Sequence, residues 1–292
     1  MAQITKREIF IDGILSQTLT APPFDKITLP PMSSGTHTTY SKVYVNGVLA
    51  VTEPTITFKV EFPTPIEGLV SDYTFDETTG GAIDTVGAHN GTVSGGVTRN
   101  GTSYVFDGTS GYVNIPDNDD HSFVDVAGND TPFTIRMIIN FTSLAGSQWI
   151  INRRGNTTTL QEFQIVNYGG QIQVFIYNKT GDVYIGRAFV NSEITAGVDY
   201  HFVTTYNGSG TSDGVSMYFN KVEKDAFNEE KNIISYESTQ NAANETVIGR
   251  AAFNSSFYFN GSIKKLRIHK GYNWNKKEID KDFTQVMVYS WQ

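Results

Sequence analysis

Between Thr131 and Thr142 the chain alternates apolar and polar residues with a period of two. Phe133, Ile135, Met137, Ile139 and Phe141 fall on one side of an extended segment. Thr134, Arg136, Asn140 and Thr142 fall on the other, with Ile138 the one apolar exception. A helix would scatter the same five apolar residues around its circumference. Alternation of this length predicts a half-buried β-strand, one face on a core and the other on a sheet surface.

The same habit recurs along most of the chain, so the segment sets a template. We expect strands at residues 69–75, 149–152, 163–166, 172–177 and 262–269, and an antiparallel pair at 200–206 and 215–219. Residues 104–108 and 111–116 read as a hairpin, 275–281 as a short helix and 286–289 as a last strand. Phe and Tyr supply the runs; Asn, Thr, Ser and Gly punctuate them, which is β composition with many turns. Many short strands at this spacing predict an all-β fold, a two-sheet antiparallel sandwich.

Residues 1–66 read differently. Strands are expected at 8–15, 26–30 and 56–62, and Val45-Asn46-Gly47-Val48 is a type I′ hairpin signal. Pro63 and Pro65 stiffen the chain and mark a boundary between a small β segment, 1–66, and a large domain, 67–292. The stretch from Gly35 to Gly47 resembles part of an immunoglobulin-like or fibronectin-like domain. So small a segment gains from packing on a neighbour or a partner chain.

Charge and composition remove several function classes. A net charge of −8 argues against nucleic acid, whose phosphates require a basic surface. The chain has no cysteine, so disulfides, thiol nucleophiles and thiolate metal sites are excluded. No run is apolar enough for membrane insertion, and the first residues lack the apolar stretch of a secretory signal. We therefore expect synthesis in a cytoplasm, with virus assembly as one route out of it.

Four phrases, in order, carry a resemblance. They are residues 68–77 (Gly68 to Glu77), the loop Asp84…Gly87…Asn90-Gly91, residues 104–113, and residues 259–268 running into Glu278-Ile279. Together, from residue 68 to about 283, they resemble a laminin-G-like jelly roll of the concanavalin A-like lectin and glucanase superfamily. The resemblance implies a jelly-roll fold; function must be argued from a site.

Catalysis finds little support. Gly210-Thr211-Ser212-Asp213-Gly214 matches a nucleophile elbow by letter, but it joins two expected antiparallel strands instead of a strand and a helix. The histidines form no zinc pattern. The Glu-x-Asp-x-x-Glu strand of glycosidases resembling this family is absent, and carboxylates such as Glu162 and Asp182 would have to meet from distant loops. Asp84, the backbone at Gly87, and Asn90 can present hard oxygens to a structural Ca²⁺, as domains of the resembled family often do there. Equally, Asp84 and Asn90 can cap turns, and Lys264 stands where the family often has an acid.

Sugar binding needs aromatic faces beside amides and charged hydrogen-bonding groups. Trp149, Tyr168, Gln173, Tyr177, Tyr258 and Trp274 are the candidates, with Asn152, Arg154, Asn167 and Asn254 in support. Gln171, Gln173, Phe175 and Tyr177 share one face of the 171–177 strand. No secretory stretch, no cysteine and a small leading β segment resemble phage virion proteins. The expectation is a non-enzymatic phage surface or fibre protein that binds host-surface glycans and contacts other virion proteins through its N-terminal segment. The alternative is a purely structural virion component, a capsid decoration or head-fibre protein. No heptad repeat marks a trimeric stem, which leaves homo-oligomerisation open.

Overall fold

A computed structural model of the chain describes residues 3–24, 35–60, 67–157, 160–181, 183–224, 226–231 and 233–289. It divides into two compact units, Met1–Ile66 and Glu67–Gln292.

The first unit is an antiparallel sheet of β1 (Ile4–Ile11), β2 (Ile14–Leu19), β3 (Gly35–Val45), β4 (Val48–Thr52) and β5 (Ile56–Val60). Asn46 and Gly47 take φ values of 49° and 83°, the left-handed pair that closes the β3–β4 hairpin as expected. The strand expected across residues 8–15 is instead broken at Asp12 and Gly13, where φ is 51° and 79°. Asp-Gly performs there what Asn-Gly performs at 46–47, and β1 and β2 are a second hairpin. The strand expected at 26–30 and the prolines at 63 and 65 lie outside the described residues. Among the described residues of this unit, Ile9, Ile11 and Val43 are the buried apolar ones, whereas Ile14, Val48, Val51 and Ile56 stand exposed.

The second unit is a sandwich. Its early strands are β6 (Leu69–Tyr73), β7 (Thr92–Ser94), β8 (Val97–Arg99), β9 (Tyr104–Asp107) and β10 (Tyr112–Ile115). Then come β11 (Phe133–Phe141), β12 (Gln148–Arg154), β13 (Gln161–Tyr168), β14 (Gln171–Tyr177) and β15 (Tyr184–Val190). The last are β16 (Asp199–Tyr206), β17 (Val215–Phe219), β18 (Val222–Glu223), β19 (Phe227–Asn228), β20 (Thr246–Ile248) and β21 (Asn260–Lys270), before the helix α1 (Lys276–Tyr289). One sheet has the order β19-β15-β14-β13-β12-β20-β10-β7. The other has β18-β17-β16-β11-β21-β9-β8, with β6 also on β21. Phe133, Ile135, Met137, Ile139 and Phe141 project between the sheets, where they meet Ile165, Ile172, Val174 and Ile176 from the facing sheet. This is the core that the alternation predicted.

Three expectations change. β11 is buried on both faces, because α1 and the chain before it cover the side expected to be solvated. Thr134 Oγ1 accepts the Trp274 amide, and Arg136, fully buried, pairs with Asp282 of α1. Residues 104–108 and 111–116 are not a hairpin: β9 and β10 enter opposite sheets. The Asp107 carboxylate accepts the amides of Thr109, Ser110 and Gly111, and this tight turn carries the chain across the sandwich. Residues 286–289 are the end of α1, not a strand. Asn275 caps the amides of Lys277 and Glu278 while Glu278 returns a bond to the Asn275 amide. With that reciprocal cap and no Gly or Pro from Lys276 to Tyr289, nothing stops the helix.

Candidate ligand-binding groove

On β14 the pleat sends Ile172, Val174 and Ile176 into the core and Gln173, Phe175 and Tyr177 outward. Register places Gln164 of β13 opposite Phe175 and Val166 opposite Gln173, and Trp149 of β12 opposite Val166. Gly186 of β15 faces Phe175; a Cβ there would strike the Val174 carbonyl and crowd the Phe175 ring at 3.0 Å, so the site takes glycine. The result is a second apolar cluster on the outer face of the sheet, Trp149, Val166, Phe175, Tyr177 and Ala251, flanked by Tyr184 and Phe253.

Over this cluster lies a groove of about 350 Å³. Trp149 forms part of its floor, stacked with Phe257 at 4.7 Å between centroids and edge-on to Tyr168 at 5.9 Å. Tyr168 is 50% exposed and Phe257 39%, so these rings present open faces while Trp149 is mostly covered. Gln164 Oε1 accepts from Trp149 Nε1 at 3.1 Å and from Arg154 Nη1 at 3.2 Å. The Arg154 guanidinium sits over the rings of Phe253 and Tyr177, at 4.5 Å and 5.1 Å, and its Nε has no hydrogen-bond partner among the described residues. Glu229 also lines the groove. Aromatic faces, amides, one cation and one carboxylate can together hold a ligand that is apolar on one side and rich in hydroxyls on the other.

Trp149, Tyr168, Gln173 and Tyr177 thus meet in one place. Tyr258 lies in a neighbouring depression with Phe257, Gln148 and Asn260. Trp274 is buried on the outer face of the opposite sheet, edge-on to His269 at 5.0 Å, and is a packing residue. Asn152 and Asn167 are also structural: Asn152 donates to the carbonyls of Val247 and Arg250, and Asn167 to that of Leu144. Phe253 and Phe257 went unnoticed in the sequence because they stand in an Asn- and Ser-rich loop without periodicity.

The Asp84 loop is knitted together by hydrogen bonds. Asp84 Oδ1 accepts the amides of Asp72 and Val86, and Oδ2 accepts the Ser71 hydroxyl and the His89 amide. Asn90 Oδ1 accepts the Asp84 amide, and Gly87 packs where a Cβ would strike His89 and the Val70 carbonyl. Burial opposes ionisation of Asp84, but these donors outweigh it and hold the carboxyl below its ordinary value. Both oxygens of the Asp84 carboxylate are thus engaged by the chain, while Asn90 Oδ1 accepts a single bond. Among the described residues no group of three or more His, Asp or Glu is gathered for a metal.

Ser71 also meets His121 Nε2 at 2.8 Å and His89 Nδ1 at 3.2 Å. His89 Nε2 faces Asp120 at 3.3 Å, but Ser71 is fully buried and donates its hydroxyl to Asp84 at 2.8 Å, so this Ser–His–Asp grouping presents no nucleophile to a substrate. Ser212 is likewise buried, and its Oγ accepts the Gly186 amide. Glu162 is buried against Arg153 at 3.1 Å; burial pushes its carboxyl up to about 7 while Arg153 pulls it back. Asp182 lies outside the described residues.

The model of the concanavalin A-like lectin/glucanases superfamily, in its laminin G form, matches residues 107–279. A comparison with curated proteins finds no match. Among solved structures, the receptor-binding domain of botulinum neurotoxin C/D mosaic serotype is similar at 13% identity and TM-score 0.56, over 76% of this chain and 52% of that one. The serotype D ligand-binding domain, solved in complex with N-acetylneuraminic acid, is similar at 12% identity and TM-score 0.55, over 76% and 52%. The binding domain of Paraclostridial Mosquitocidal Protein 1 is similar at 14% identity and TM-score 0.54, over 75% and 52%. The chain spans about half the length of these neighbours, and at such identities the likeness is one of fold. With two stacked antiparallel sheets and the family match across most of them, the chain belongs to the concanavalin A-like lectin/glucanases superfamily.

Proposed function

We propose that the protein is a non-enzymatic carbohydrate-binding protein, and that the groove over Trp149, Tyr168, Gln173 and Tyr177 receives a host-surface glycan. The observation that carries this reading is the convergence of open aromatic faces, amides and Arg154 on the outer face of one sheet. The setting we propose is a phage virion surface or fibre, made in the host cytoplasm, with residues 1–66 as a small Ig-like unit docking to other virion proteins. Calcium, as a structural ion at the Asp84 loop, belongs to the same proposal, although the loop offers it few free oxygens.

A second reading, a structural virion component with protein contacts only, draws on the exposed Ile14, Val48, Val51 and Ile56 of the first unit. One experiment separates them. The full chain is screened on a glycan array with calcium and with chelator, beside a Tyr168→Ala variant. Specific binding that Tyr168→Ala weakens about tenfold supports the lectin reading, since one aromatic stacking contact carries about that much. Loss of binding with chelator would support the calcium site. An array that stays blank under both conditions favours the structural component.

A further inference from the structure

The loop between β20 and β21 holds Phe257 in an unusual way. Its φ is 56° and that of Ser255 is 48°, left-handed values that a bulky aromatic residue rarely adopts. The conformation is fastened at several points: the Trp149 amide donates to the Phe257 carbonyl at 2.9 Å, Ala251 to Ser256 at 2.9 Å, and Phe259 to Gly249 at 2.8 Å. The ring is nevertheless 39% exposed. A strained backbone kept in place to hold up a half-open aromatic ring, and not to bury it, is what ligand clamps look like.

Phe257 lines two depressions at once. One is the groove of about 350 Å³ already described; the other, of about 410 Å³, is lined by Ala145, Ser147, Tyr258 and Asn260. The side chains of Ser147, Tyr258 and Asn260 form no hydrogen bond among the described residues. Either depression alone has the volume of a small-molecule site. Resting on the carbohydrate reading above, we propose that the two are subsites of one binding path with Phe257 as the ridge between them, and that the ligand is an oligosaccharide spanning both. The exposed rings of Phe257 and Tyr168 stack on the unit held in the groove, Phe257 being backed by Trp149, while Tyr258 stacks on a later unit whose hydroxyls Ser147 and Asn260 bond.

The test uses the full chain and a panel of defined mono- to hexasaccharides with neutral and acidic backbones, with affinities measured by calorimetry for those that bind. We expect affinity to rise about tenfold or more from the shortest binder to the tetrasaccharide, as a second aromatic contact is added. Tyr258→Ala should lower tetrasaccharide affinity about five- to tenfold and leave the shortest binder unchanged. Because Tyr258 is half-buried, Ala145→Trp, at an exposed position, provides a second probe: it fills the second depression and should have the same selective effect at unchanged melting temperature. Affinity that does not grow with length, or that both variants leave untouched, overturns the two-subsite inference while the carbohydrate reading stands. A panel with no binder at any length, alongside a blank array, overturns both.

Discussion

Arg154 and Tyr168 show how a residue's surroundings decide its role. Tyr168 ends β13 with an open ring, whereas Trp274, no less aromatic, is enclosed on the opposite sheet. Residue type named both as candidates; only register and the course of a later loop separate them, and neither is written in local sequence. The buried histidines make a different prediction. Burial disfavours the charged imidazole, lowering His121 to about 3 and His269 to about 4 from an ordinary 6.5. Since the folded values are depressed, their stabilisation is complete above pH 6.5 and is lost as pH falls from there toward 4. The slope approaches about 1.4 kcal/mol per pH unit for each histidine. Glu162 runs the other way, because its folded carboxyl, at about 7, takes up a proton that the unfolded one binds only near 4.5; it offsets about one histidine. The melting temperature should therefore be lower at pH 5 than at pH 7, and His121→Gln should flatten the difference. A melting temperature equal or higher at pH 5 would count against this assignment of the buried charges.

Among the elements, α1 carries the largest departure from the sequence reading. Alternation located β11 and its apolar face, but a strand's polar face can meet water or a polar partner, and Arg136 gives no sign of which. The partner is Asp282, whose oxygens lie 2.8 Å from Arg136 Nε, 3.0 Å from Nη2 and 2.7 Å from His201 Nε2. Burial opposes ionisation of Asp282, yet Arg136 and His201 outweigh it and hold the carboxyl well below its usual range. Asp282→Ala would leave Arg136 buried and unpaired, a change that costs about 3–5 kcal/mol. Urea unfolding should show it as a lowered midpoint, and a loss under 1 kcal/mol would mean that α1 is dispensable to the sheet. The hairpin at Asn46-Gly47 and the β16–β17 pair were legible because their signals are local. The crossing from β9 to β10 was not, because a four-residue turn that joins two sheets looks in sequence like one that joins two neighbours.

Across the whole molecule, the two units differ in how much each buries. The second has a core from many strands; among the described residues the first has little beyond Ile9, Ile11 and Val43. Small cores give marginal stability. Scanning calorimetry of the full chain should resolve two transitions, the smaller at lower temperature, and a single transition would show that the units melt as one. Within the larger unit, β21 bonds to β11, β9 and β6, so a strand ending at Lys270 occupies the middle of a sheet and pairs with strands that all precede it by well over a hundred residues. A ribosome releases the chain from the other end. Until residue 270 emerges, β6, β9 and β11 have no common partner and the apolar face of β11 has half a sheet around it. The first unit can form while synthesis continues; the sandwich must wait, with its interior open, until β21 has left the ribosome.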